Sequence, residues 1–107
     1  MSADRGDLVW INFNPQAGHE QAGRRSAIVL SPRAFNDTTG FAFVCPITHT
    51  VRGWGYEVKL PDGLIFDGVI LTDQIKNLDW RARSIEIVGQ VPNEIVHECL
   101  DKIHTFL

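Results

Sequence analysis

The segment Asp7 to Phe13 reads DLVWINF and leaves the chain few choices. β-Branched and aromatic side chains fill it, with Leu8 and Trp10 on one side of an extended backbone and Val9, Ile11 and Phe13 on the other. A strand that is apolar on both sides must be covered on both faces, so it belongs inside a layered sheet. Shorter segments of the same kind follow. Ala27 to Leu30 (AIVL), Phe41 to Ile47 (FAFVCPI), Tyr56 to Leu60 (YEVKL), Asp67 to Asp73 (DGVILTD) and Ile85 to Val91 (IEIVGQV) are predicted strands. Pro32 ends the second strand, Asn36 to Gly40 (NDTTG) and Pro61-Asp62-Gly63 read as turns, and Pro46 marks an end or an edge. Between Gln74 and Arg83, Leu78 and Trp80 stand among polar residues, a pattern that fits a strand, a short helix or both.

The period changes after Pro92, a residue suited to the start of a helix. Ile95, Cys99, Leu100, Ile103 and Phe106 recur at helical spacing, with Glu94, Glu98, Asp101 and Lys102 between them. Five to seven short strands closed by one amphipathic helix predict a mainly β, α+β fold, with a small, strongly curved sheet or partial barrel. With 107 residues and no internal repeat or linker, the expected organisation is a single domain, 1–107.

Formal net charge is −3, which argues against a protein that coats nucleic acid regardless of sequence. The charge is segregated all the same. Arg24, Arg25, Arg52, Lys76, Arg81 and Arg83 fall in or beside predicted loops, while Glu94, Glu98 and Asp101 gather on the C-terminal segment. No apolar run is long enough to span a membrane and no signal-peptide pattern opens the chain, so a cytoplasmic protein without membrane contact is expected. Cys45 and Cys99 form no metal-type pair and read as small buried hydrophobes. His19, His49, His97 and His104 have no partners at ligand spacing, so no metal site is expected. Phosphate-loop, nucleophile-elbow and zinc-protease motifs are absent, and no cofactor is expected.

The candidate functional stretch is Gly18 to Pro32, GHEQAGRRSAIVLSP. A glycine-punctuated polar loop passes Glu20, Gln21 and two arginines, then enters the buried strand Ala27 to Leu30. Such an anchor holds a functional group in place. Arg25 sits at the hinge, and its planar fork of donors suits phosphate or carboxylate. Thr48, His49 and Thr50 form a second polar loop group, and Asp73, Gln74 and Lys76 a third. Together they can bind an anion and do acid–base chemistry, or they are three separate surfaces.

Several segments resemble one known family. They are Gly6-Asp7-Leu8-Val9-Trp10 with Phe13, Gly18 with Glu20-Gln21-Ala22-Gly23, and Arg25 before Ala27-Ile28-Val29-Leu30-Ser31-Pro32. The likeness continues through Pro46 and Thr48, Gly53 and Glu57-Val58, Asp67-Gly68-Val69, Asp73-Gln74-Ile75-Lys76 and Trp80-Arg81-Ala82-Arg83. This ordered set, spread over nearly the whole chain, resembles the MazF/PemK/Kid toxin endoribonucleases, most closely the MazF branch. The resemblance implies an SH3-like, strongly bent antiparallel barrel with a C-terminal helix, assembled as a homodimer. It implies metal-independent, sequence-specific cleavage of single-stranded RNA, typically messenger RNA. It also implies silencing by a MazE-like antitoxin whose acidic, flexible tail lies across the RNA site.

Carried over residue by residue, the resemblance implies catalytic roles for Arg25 and Thr48, and a catalytic or loop-shaping role for Glu20. Arg24, Gln21, His49, Arg52, Trp54, Lys76 and Arg81 are the candidate RNA-binding residues, Trp54 being the least core-like aromatic between Gly53 and Gly55. Two positions depart from the family pattern. Ser26 follows Arg25 where proline is usual, and Arg24 stands where some relatives have histidine. An acid or base lost at Arg24 must come from His49 or His19, or be dispensed with. Two other functions suit the same fold: a gyrase poison, which requires neither Arg25 nor Thr48, and a non-catalytic module that docks a peptide.

Overall fold

The computed structural model of the chain describes residues 2–13 and 23–107. Among the described residues seven strands and two α-helices follow one another as β1 (Asp7–Asn12), β2 (Arg24–Val29), α1 (Arg33–Thr39), β3 (Phe41–Thr48), β4 (Glu57–Lys59), β5 (Val69–Leu71), β6 (Lys76–Asp79), β7 (Glu86–Gln90) and α2 (Asn93–Ile103). All ladders are antiparallel, and the order across the sheet is β4-β5-β3-β2-β1-β7, with β6 also paired to β3. The sheet is not closed, so the expected barrel is corrected to an open antiparallel sheet.

Strand β3 is the spine of the sheet. One edge pairs with β2 from Val44 to Pro46, while the other pairs with β6 from Phe41 to Val44 and with β5 at Ile47 and Thr48. Pro46, which cannot donate to a ladder, falls where that second edge changes partners.

Alternation along the strands builds two cores. Leu8, Ile28, Cys45, Ile47 and Ile70 face one way and are roofed by Ile95, Val96, Cys99 and Ile103 of α2, with Trp10 packed alongside. Val9, Ile11, Ala27, Val29, Ala42, Val44 and Leu78 face the other way, with Phe13 and Trp80 against them. This is the two-sided burial that DLVWINF requires. Cys45 and Cys99 are buried as free thiols, and α2 buries the face its periodicity marks. Phe106 lies beyond the helix, exposed, its ring edge-on to Tyr56 at 5.6 Å.

Two local expectations are corrected. Asn36 to Gly40 is not a turn: it forms the end of α1 and its left-handed cap at Gly40 (φ 75°). Asn36 is wholly buried, and its amide donates to Ala3 O (2.9 Å) and Ser31 O (3.0 Å) while accepting from the Ser31 hydroxyl (2.6 Å). Its carbonyl also accepts from Trp80 Nε1 at 3.0 Å. These tertiary bonds stabilise a helix whose own sequence contains Asn, Asp and two Thr, all poor helix formers. The segment Asp67 to Asp73 is a strand only over Val69–Leu71, and Thr72–Gln74 is a single 3-10 turn. Thr72 N and its hydroxyl both donate to Tyr56 O, which bends the chain away from the ladder. The unsettled stretch after Gln74 is both strand and helix: β6, then a 3-10 turn over Trp80–Ala82.

Candidate active site

The ladder between β2 and β3 brings Arg25 and Thr48 to the same end of the sheet. Ala27 pairs with Pro46, and one residue further out the Ser26 hydroxyl donates to Ile47 O at 3.3 Å. The next residues on the two strands are Arg25 and Thr48. Arg25 is exposed, with its guanidinium over the Phe13 ring at 5.7 Å. Thr48 is half-buried, and its hydroxyl accepts from Thr50 N at 3.1 Å.

Alternation separates the two adjacent arginines. Arg25 lies on the Ala27 and Val29 face, whereas Arg24 lies on the Ile28 face. There Arg24 is ion-paired to Glu86 of β7 and stacks on Trp10 at 5.9 Å. Glu20 and Gln21, with Gly18 and His19, lie outside the described residues.

Beyond Thr48 the chain runs into the loop 49–56, which carries His49, Arg52 and Trp54. Glu57 organises it from the start of β4, its carboxylate accepting from Arg52 N (3.1 Å) and Gly53 N (3.0 Å). Gly53 takes the left-handed conformation (φ 78°) that lets the loop curl onto that carboxylate. Trp54 is 49% exposed, with the Arg52 guanidinium 5.3 Å from its ring centre. The loop is moored to the C-terminal helix by Lys102 Nζ, which donates to Gly55 O at 2.6 Å. His49 Nδ1 lies 2.6 Å from Asp67 Oδ1, just ahead of β5.

The remaining basic candidates lie elsewhere on the sheet. Lys76 is opposite Val44, four residues along β3 from Thr48 and roughly 13 Å away at ordinary strand rise. Arg81 lies at the far end of β3, donating to Asp37 O at 3.2 Å and stacking on Trp80 at 5.0 Å. The described residues thus bring Arg25, Thr48 and His49 to one end of the sheet, tie Arg52 and Trp54 to the loop ahead of β4, and leave Arg24 on the opposite face with Lys76 and Arg81 further along the sheet. Asp67, Glu57 and Glu86 were missed from sequence, because each works through a partner only the fold supplies: His49 for Asp67, the Arg52 and Gly53 amides for Glu57, and Arg24 for Glu86. The Glu57-Val58 and Asp67-Gly68-Val69 segments carried a signal, as parts of the family resemblance. Among these residues, no group of three His, Cys, Asp or Glu side chains is placed to hold a metal ion.

An open antiparallel sheet roofed by a C-terminal helix, with an arginine and a threonine side by side at a basic rim, defines a small toxin fold. The chain belongs to the PemK-like, MazF-like toxins of type II toxin–antitoxin systems, whose family model matches residues 4–107. It is 42% identical to the endoribonuclease toxin MazF of Escherichia coli K12 over 104 residues, which cover 97% of this chain and 93% of that one. Among solved structures, MazF from Deinococcus radiodurans superposes with a TM-score of 0.88 at 46% identity, over 98% of this chain and 96% of that one. A MazE–MazF structure from the same organism gives a TM-score of 0.86 at 39% identity, covering 98% and 94%.

Proposed function

We propose that this toxin is a metal-independent endoribonuclease that cuts single-stranded RNA at a short sequence, with Arg25 and Thr48 at the reacting phosphate. The observation that carries this is the meeting of Arg25 and Thr48 at one end of the β2–β3 ladder. RNA supplies its own nucleophile, the 2′-hydroxyl, so the protein must align the attack, stabilise charge on the phosphoryl oxygens and move two protons. The Arg25 fork clamps those oxygens. The Thr48 hydroxyl orients the phosphate or the attacking hydroxyl. Glu20 takes the 2′-hydroxyl proton. Trp54 and Arg52 offer a face on which an unstacked base can lie.

The protein works as a single domain in the cytoplasm, as a homodimer, on messenger RNA. Its partner is a MazE-like antitoxin whose acidic tail covers the basic rim, as charge complementarity favours.

The test is purified protein with EDTA and a long mixed-sequence RNA, the cut ends being mapped beside Arg25→Ala and Thr48→Ala. Cuts at one recurring sequence, slowed about 100-fold or more by Arg25→Ala, are expected. Intact RNA from folded wild-type protein would overturn the proposal in favour of a protein-binding role.

A further inference from the structure

His49 and Asp67 form a pair that the fold does not need. Their side chains are 85% and 81% exposed, so the 2.6 Å contact between Nδ1 and Oδ1 adds little to stability. The backbone nevertheless holds them together. Thr48 pairs with Val69, which brings His49 and Asp67 just past the end of the β3–β5 ladder. Gly68, at φ 104°, lets the strand entering β5 lie close against the Thr48 carbonyl and the His49 Cα. A carboxylate bonded to one imidazole nitrogen fixes the orientation of the ring. The other nitrogen, Nε2, is left to exchange protons. The pair follows directly on Thr48, at the rim that carries Arg25.

We propose that His49, oriented by Asp67, is the general acid of the cleavage step, an inference that rests on the endoribonuclease function above. The O2′–P bond forms as the P–O5′ bond breaks. The 2′-hydroxyl proton goes to a general base, and the electron pair of the broken bond goes to O5′, which takes a proton from His49 Nε2. The products are a 2′,3′-cyclic phosphate and a 5′-hydroxyl end, and solvent returns the protons to their starting places. Asp67 is a positioning residue.

The experiment compares ordinary RNA with the same RNA carrying a 5′-bridging phosphorothiolate at the cleavage site, whose thiolate leaves without a proton. Wild type, His49→Ala, Asp67→Asn and Arg25→Ala are assayed on both, with circular dichroism as the fold control. His49→Ala should lose about 100-fold on ordinary RNA and recover to within a few-fold of wild type on the phosphorothiolate. Asp67→Asn should lose less and recover likewise, while Arg25→Ala stays slow on both. Equal losses by His49→Ala on the two substrates, or none on ordinary RNA, would overturn the acid assignment while leaving the endoribonuclease function intact. A wild type inert on both would overturn the endoribonuclease function itself, and the acid assignment with it.

Discussion

A Cβ atom on residue 68 would stand 2.2 Å from the Thr48 carbonyl oxygen, so only glycine allows β5 to approach β3 this closely. The φ of 104° adds a second cost for any L side chain. Gly68→Ala should therefore destabilise the protein by about 2–4 kcal/mol and lower cleavage beyond what the fraction unfolded explains, because Thr48 and Asp67 move with the backbone. Urea unfolding and a rate measured well below the melting temperature separate the two effects.

Arg25→Lys keeps the positive charge and loses the planar fork. A rate drop of roughly 10- to 100-fold with little change in KM is expected, since the fork matters most when charge develops on the phosphoryl oxygens. Single-turnover kinetics at saturating RNA check it. An unchanged rate would show that a point charge suffices.

Arg24 and Glu86 are both partly exposed, so their ion pair should contribute little. A double-mutant cycle with Arg24→Ala and Glu86→Ala should give a coupling of less than about 1 kcal/mol that shrinks further in high salt.

Asp4 accepts from Arg33 N and Arg5 N, each at 2.8 Å, and these bonds, Arg33's first, hold its carboxyl below its ordinary value of 3.8. A depressed folded-state value contributes stability that is present above that pH and lost as pH falls through the folded value. Asp4→Asn should flatten this part of the acid limb in urea titrations between about pH 5 and pH 2.

Burial pushes the Cys99 thiol up to about 12 and raises Cys45 as well. The unfolded chain loses these protons first as pH climbs past its ordinary thiol value of 9.0, so stability should fall from there upward. Both cysteines should resist iodoacetamide in the native protein and react on unfolding.

The strands were legible because their signal is local. DLVWINF shows its two-sided burial by alternation alone, and the amphipathic period of α2 by spacing alone. Helix α1 was not legible, because Asn36 stabilises it through Ala3 and Trp80, both far away in sequence, as well as through nearby Ser31. The candidate rim was half legible. Arg25 and Thr48 stood out by family resemblance, whereas the separation of Arg24 from Arg25 follows from strand parity once the register is known. Asp67 was invisible as a partner of His49, since only the β3–β5 ladder brings the two together.

The pairing of β1 with β7 sets an order in time. Gln90 reaches back to Asp7 across 83 positions, so β1 gains its second neighbour only after most of the chain exists. At the usual 5–20 residues per second of synthesis, that delay is roughly 4–17 s. Contacts of such long range also make for slow folding. A newly made chain therefore emerges from the ribosome with one side of β1 still an open edge, and its complete sheet is assembled late.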